Sequence, residues 1–357
     1  MLGFLRTLLP GKEPGKPGFR VVEDRPPDEI VVDELAPFPF ARHVTSHHGL
    51  PIVDWAPVTA WVYGLPAPEL QASAWAACER AWLLRFRDAL GPGYRLAESD
   101  QAAVLSSVEP NVARATLETM ERTLRRITVV LDGIAQVAPW GKDILIVFDD
   151  GDGYYGYVSY YDPDTRELPY SSGRYIGWGC SHFVTVKSDL RAIEPVIAHE
   201  LTHACVAHLP LPLWLDEGLA VNTERRLAGS NPPLHTPQQM HERHLRFWHE
   251  AEIQQFWSGE SFARADEGNQ LSYDLARILV EQMAKDWERF RGFVLAADRA
   301  DGGEQAAMEH LGIDLGAAAC ALLEREPSPA WAPDPEGWGN PTTREEGHRR
   351  APCRSQT

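Results

Sequence analysis

His199 and His203 stand four residues apart in the pentad HELTH, with Glu200 beside the first. Positions four apart on an α-helix point nearly the same way. Both imidazoles can therefore reach one ion at about 2.0–2.1 Å. Glu200 sits one step round the helix, outside that coordination sphere but able to touch a water held by the ion. Zinc lowers the pKa of its bound water to about 7, and a neighbouring carboxylate can take the proton. The same letters also occur by chance, so their surroundings matter. Val196, Ile197, Leu201, Ala204 and Cys205 make the rest of the helix apolar and so place it in a core. Two imidazoles and a carboxylate on a buried helix need partners, and a metal supplies one.

Catalytic zinc takes three protein ligands and keeps a fourth position open. Pro210 and Pro212 end the first helix, and WLDEGLA begins a second almost at once. Glu217 lies near the start of that helix, 14 residues after His203, where a tight reversal brings it back beside the histidines. Asp216 is the competing carboxylate. Its position points about 100° away, which predicts that it faces solvent or caps the helix.

HELTHA followed by WLDEGLAVNTE resembles the gluzincin metallopeptidases, and most closely the bacterial peptidase MA-like domains. The resemblance covers roughly Tyr94 to Trp287 and is specific at the metal site. It implies a zincin-like fold with one zinc ion, Glu217 as the third ligand, and Glu224 holding a zinc-bound histidine from behind. It also implies an oxyanion-stabilising residue on the helical half, a role that Tyr273 in LSYDLARIL fits. Gluzincin aminopeptidases carry an upstream glutamate that holds the substrate's free amine. No glutamate occurs here between Glu167 and Glu194, which argues against amine-anchored exopeptidase action. The strand His182 to Val186 is expected to line the cleft and pair with an extended peptide.

The elements around this pair of helices follow from periodicity. Pro68 to Leu90 and Asn111 to Val137 read as helices, the latter with Leu117, Met120, Leu124 and Ile127 at three- and four-residue steps. Tyr94 to Ala97, Ala102 to Ser106, Lys142 to Phe148 and His182 to Lys187 read as strands. DDGDG reads as a turn without the spacing of a calcium loop, and Tyr154 to Gly179 as loops or twisted strands. Glu194 to His208 and Leu213 to Leu227 are the two helices of the motif, and further helices run to about Arg325. Strands come first and helices later, an α+β arrangement. The expected organisation is a flexible lead-in over 1–36, a mostly helical extension over 37–93, a catalytic domain over 94–329 and a disordered tail over 330–357. Within the catalytic domain, 94–208 is the strand-and-helix half and 209–329 the helical half.

Lower-ranking histidines fall outside this pattern. His43, His47 and His48 are expected in a polar loop, His208 at a helix end, and His241, His244 and His249 with Trp248 on an exposed helix. Cys205 is read as a core residue. With 34 basic and 51 acidic residues the net charge is -17, which disfavours nucleic acid as a partner. No run of apolar residues is long enough for a membrane span. The five cysteines are widely spaced, without a CxxC pair, and fit reduced thiols in a cytoplasm. The sequence thus predicts a cytoplasmic zinc peptidase acting on peptides or proteins. The alternatives are a catalytically silent zinc-stabilised scaffold and a zinc hydrolase of a non-peptide amide.

Overall fold

The computed structural model describes residues 18–33, 36–138, 140–161, 173–229 and 235–338. In chain order the strand-containing half holds β1 (Arg20–Val22), β2 (Val44–His47), β3 (Leu50–Val53), α1 (Trp55–Tyr63), α2 (Pro68–Leu90), β4 (Arg95–Glu98), β5 (Ala102–Ser106), α3 (Pro110–Val130), β6 (Asp143–Phe148), α4 (Gly151–Tyr161), β7 (Gly173–Ile176) and β8 (His182–Val186). The helical half follows with α5 (Leu190–Val206), α6 (Leu213–Ala228), α7 (Pro237–Phe247), α8 (Glu250–Ser258), α9 (Glu267–Met283) and α10 (Trp287–Ala296). All the described strands lie in the first half, interleaved with α1–α4, and the second half is helical, which is the strand-containing and helical division the sequence predicts.

Six strands form one mixed sheet in the order β1-β4-β5-β6-β8-β7. The central pairs β5–β6 and β6–β8 are parallel, and the outer pairs are antiparallel. Alternation along the strands feeds two cores. Ala103, Leu105, Ile144, Ile146, Phe148 and Val184 face one that includes α1, α2 and α4. Ala102, Val104, Leu145, Val147 and Phe183 face the other, shared with α3, α5 and the later helices. Burial on both faces is why KDILIVF reads as a continuous apolar run.

Several expectations need correction. DDGDG is a turn only at Asp149 and Asp150: its last three residues already belong to the helix Gly151–Tyr161, which continues into the aromatic stretch, and Gly173–Ile176 is the edge strand of the sheet; residues 162–172 lie outside the described residues. Helix α3 stops at Val130 and not at Val137, and Gly133 follows at φ 75°. Trp248 and His249 break the HERHLRFWHEAEIQQFW segment into α7 and α8. His43, His47 and His48 belong to the β2–β3 hairpin and its approach.

Both ends are also more structured than expected. Of the lead-in, residues 1–17 lie outside the described residues, but Arg20–Val22 already pairs with β4 and Ile30 exchanges backbone hydrogen bonds with Phe38. Of the tail, 339–357 lies outside the described residues. Before it, Trp331 is buried, and the Gln254 amide bonds Ala330 O, Ala332 O, Asp334 N and Trp338 Nε1. Indole burial and this saturated amide offset the entropy of ordering the segment.

Two features fix the helix pair that carries the motif. Trp214, fully buried against Phe256, Trp257 and Phe293, donates from Nε1 to Gly302 O at 2.9 Å and so pins the first turn of α6. Gly218 then lets α6 cross α9 closely. A Cβ there would stand 2.6 Å from Val280 Cγ2 and 2.8 Å from the Ala276 carbonyl oxygen. Asn222 ties the crossing by donating to Gly218 O and Arg277 O at 2.8 and 3.0 Å.

Glu79 of α2 is buried beneath the turn that leads from β7 into β8. It accepts from Lys142 N at 3.2 Å and from Cys180 Sγ at 3.6 Å. Burial raises its pKa to about 7 despite these donors. The folded state therefore holds this proton more tightly than the unfolded chain, and stability falls as pH rises from about 4.5 to about 7. Gln at position 79 removes that loss. The stability advantage of Glu79→Gln over the unaltered chain should grow by about 3 kcal/mol between pH 4.5 and 7.5, measured by denaturant unfolding. Gly218→Ala should destabilise the fold by about 1–3 kcal/mol by forcing α6 off α9, seen in the same measurement.

Candidate metal centre

Helix α5 begins at Leu190, four residues before the expected start, and continues through Pro195 to Val206. It packs on α3, on α6 and against β7. Leu209 N bonds Val206 O, and Pro210 O accepts from Arg299 N, so the chain reverses within six residues and enters α6 at Leu213. This reversal carries Glu217 back to the HELTH turn.

One nitrogen from each of His199 and His203 and one oxygen of Glu217 lie within 4.8 Å of one another. It is the one such group of His, Cys, Asp and Glu side chains among the described residues. Glu217 Oε2 lies 3.2 Å from His199 Nε2 and 3.5 Å from His203 Nε2. Two ligands at about 2.0–2.1 Å from a tetrahedral zinc stand about 3.3 Å apart, so these separations match the edges of a coordination tetrahedron.

The other ring nitrogens are also held. His199 Nδ1 bonds Glu224 Oε2 at 3.1 Å, and His203 Nδ1 bonds Asp216 Oδ1 at 2.8 Å. Carboxylates only accept, so each ring gives its Nδ1–H to one. Neutral rings then aim two Nε2 lone pairs at a carboxylate oxygen. That arrangement needs positive charge at its centre, either a proton on each ring or one metal ion serving all three groups. The titration behaviour agrees. Burial alone would depress His203, yet Asp216 and Glu217 hold its pKa well above the ordinary value. Burial opposes His199 likewise, and Glu217 and Glu224 raise it to about 9. Burial would raise Glu217, and the two histidines instead hold it well below the usual carboxylate range. The donor set thus suits a divalent ion bound by nitrogen and oxygen.

Glu200 stands outside this triad. It is buried, and burial ahead of all other influences raises its pKa. Its Oε1 lies 3.6 Å from where a Cβ on Gly173 of β7 would sit, while Val196 Cγ1 would be only 2.3 Å away. The edge strand therefore approaches α5 closely because residue 173 lacks a side chain. Tyr175, two residues on, stacks at 6.5 Å on the His203 ring. Tyr273 of α9 packs edge-on against Phe262. The charge of Glu217, ahead of burial and of Glu200, holds its pKa well above the ordinary value. It is therefore a protonated donor near neutral pH. Arg174 acts in the opposite sense on both Glu200 and Tyr273.

The structure thus brings together His199, His203, Glu217, Glu224, Glu200 and Tyr273. Three sequence readings are corrected. Asp216 does not face solvent or cap a helix; it bonds His203, because the ring's Nδ1 side lies toward the residue preceding Glu217. The strand expected to pair with a peptide is β8, but β6 and β7 occupy both of its edges, and the strand that packs against α5 is β7. His244 is buried rather than exposed: it accepts from Trp248 Nε1 at 2.9 Å and meets Asp274 Oδ2 at 3.0 Å. Gly173 and Tyr175 were missed. The signal available for them was the short β-prone RYI within a glycine-rich stretch.

The chain matches no protein-family model, no curated protein and no solved structure.

Substituting either His203 or Glu217 by Ala removes one of three donors. The unaltered protein should retain one equivalent of zinc after gel filtration, and each variant should retain little, by elemental analysis. Equal retention by all three would show that any bound ion sits elsewhere.

Proposed function

We propose that this protein is a zinc-dependent peptidase of zincin-like fold, with zinc held by His199, His203 and Glu217. The observation that carries the reading is the convergence of three donor atoms, with Glu217 at tetrahedral-edge distance from both histidines and a buried carboxylate, Glu200, on the same helix. A bound zinc ion would polarise the scissile carbonyl and acidify a water. Glu200 is the group that takes the proton from the attacking water and returns it to the leaving amine. Its raised pKa suits a base that must also release that proton. Tyr273 donates its hydroxyl hydrogen to the developing oxyanion, a role that requires the phenol to stay protonated.

An extended peptide would lie along β7, the sheet's edge strand beside α5. Helix length and composition offer no membrane crossing among the described residues. Cys78, Cys180, Cys205 and Cys320 are buried and form no disulfide among the described residues, which suits a reducing, cytoplasmic setting. The net charge of -17 speaks against nucleic acid as substrate.

Glu200→Gln separates catalysis from scaffolding. It should keep zinc and lose peptide cleavage by about 10²–10⁴-fold. Tyr273→Phe should lower kcat by about 10²-fold or more with zinc content unchanged. Both are read by zinc analysis alongside a peptide-library cleavage assay with and without chelator. If the unaltered, zinc-loaded chain cleaves no peptide while hydrolysing other amides, the substrate class is wrong. If Glu200→Gln behaves as the unaltered chain throughout, the site is a scaffold.

A further inference from the structure

Resting on the metal centre read above, the geometry points to Asp216 as a positioning residue for the ion, with a larger share in metal affinity than Glu224. Four observations support this. First, the Asp216–His203 contact is the shorter, 2.8 Å against 3.1 Å for Glu224–His199. Second, its partners are less exposed: 11% and 20% of side-chain surface against 16% and 30%. A hydrogen bond to a carboxylate strengthens as water is excluded.

Third, Asp216 is the shorter side chain and sits in the first turn of α6, which the buried Trp214 holds in place. Little rotamer freedom is lost in fixing it, whereas Glu224 has one more torsion to freeze. Fourth, Asp216 precedes the ligand Glu217 directly. One helical turn therefore supplies a ligand and also aims another ligand's ring. The braces and ligands all lie between His199 and Glu224, on two adjoining helices.

A carboxylate on Nδ1 does two things for a ligand imidazole. It fixes the tautomer and ring plane so that Nε2 faces the ion, and its charge makes Nε2 a better donor. Asn at position 216 keeps an acceptor oxygen but loses the charge; Ala loses both.

The test uses the full chain, unaltered and as Asp216→Asn, Asp216→Ala and Glu224→Gln. Zinc affinity is measured by competition with a chromophoric chelator, and the cobalt-substituted forms are compared by visible absorption. Asp216→Ala should bind zinc about 10–100-fold more weakly, Asp216→Asn by an intermediate factor, and Glu224→Gln by less than Asp216→Ala. The cobalt spectrum should change for the Asp216 variants, reporting a reoriented ring. Thermal unfolding of the metal-free variants checks that they fold, and the near-isosteric Asn variant keeps the comparison if Ala does not. Zinc bound by Asp216→Asn as tightly as by the unaltered chain, or a larger loss in Glu224→Gln, overturns the proposal while leaving the metal centre intact. An unaltered chain that binds no zinc overturns the metal centre and this proposal together.

Discussion

Three electron-rich atoms, His199 Nε2, His203 Nε2 and Glu217 Oε2, face one another inside a largely buried wall. Left without positive charge they repel. With it they attract, and α5 and α6 are drawn together. The rest of the architecture makes sense as the means of enforcing this convergence. The four-residue spacing aligns the rings, the proline-bounded reversal returns the chain, and Trp214 and Gly218 set how deeply α6 enters. Carboxylates on both Nδ1 atoms then leave the rings a single orientation.

The negative charge gathered here is considerable: Glu200, Asp216, Glu217 and Glu224 surround two imidazoles. Isolated buried carboxylates would shed their charge by taking up protons. Glu200 follows that rule, its pKa raised by burial, while Glu217 does the opposite because two rings face it. Neighbouring carboxylates are thereby driven apart in titration, as expected where one binds a cation and another moves a proton. The sheet contributes by bringing its edge strand against α5 through a residue without a side chain, so a backbone rim runs beside Glu200.

Much of this was legible in the sequence because it is local. Spacing on a helix fixes where His199 and His203 point, and the apolar run KDILIVF declares a strand buried on both faces. Pro210 and Pro212 announce the reversal. What stayed hidden depends on the distance between elements. Helical phase placed Asp216 about 100° from Glu217, and Asp216 does stand outside the group formed by His199, His203 and Glu217. It could not show that the Nδ1 side of His203 occupies that same direction. Likewise β8 has the more regular strand pattern, but only sheet order shows that its edges are filled and that the shorter β7 forms the rim. Both ends of the chain read as flexible from Pro, Gly and charge, yet buried tryptophan and paired backbone order the inner parts of each.

The most direct test of the account is X-ray absorption at the zinc edge on the metal-free chain reconstituted with one equivalent of zinc. A tetrahedral first shell of nitrogen and oxygen at about 2.0–2.1 Å, with the outer-shell scattering of two imidazoles, is the predicted result. A zinc ion that remains fully hydrated, or one with sulfur in its first shell, would contradict it.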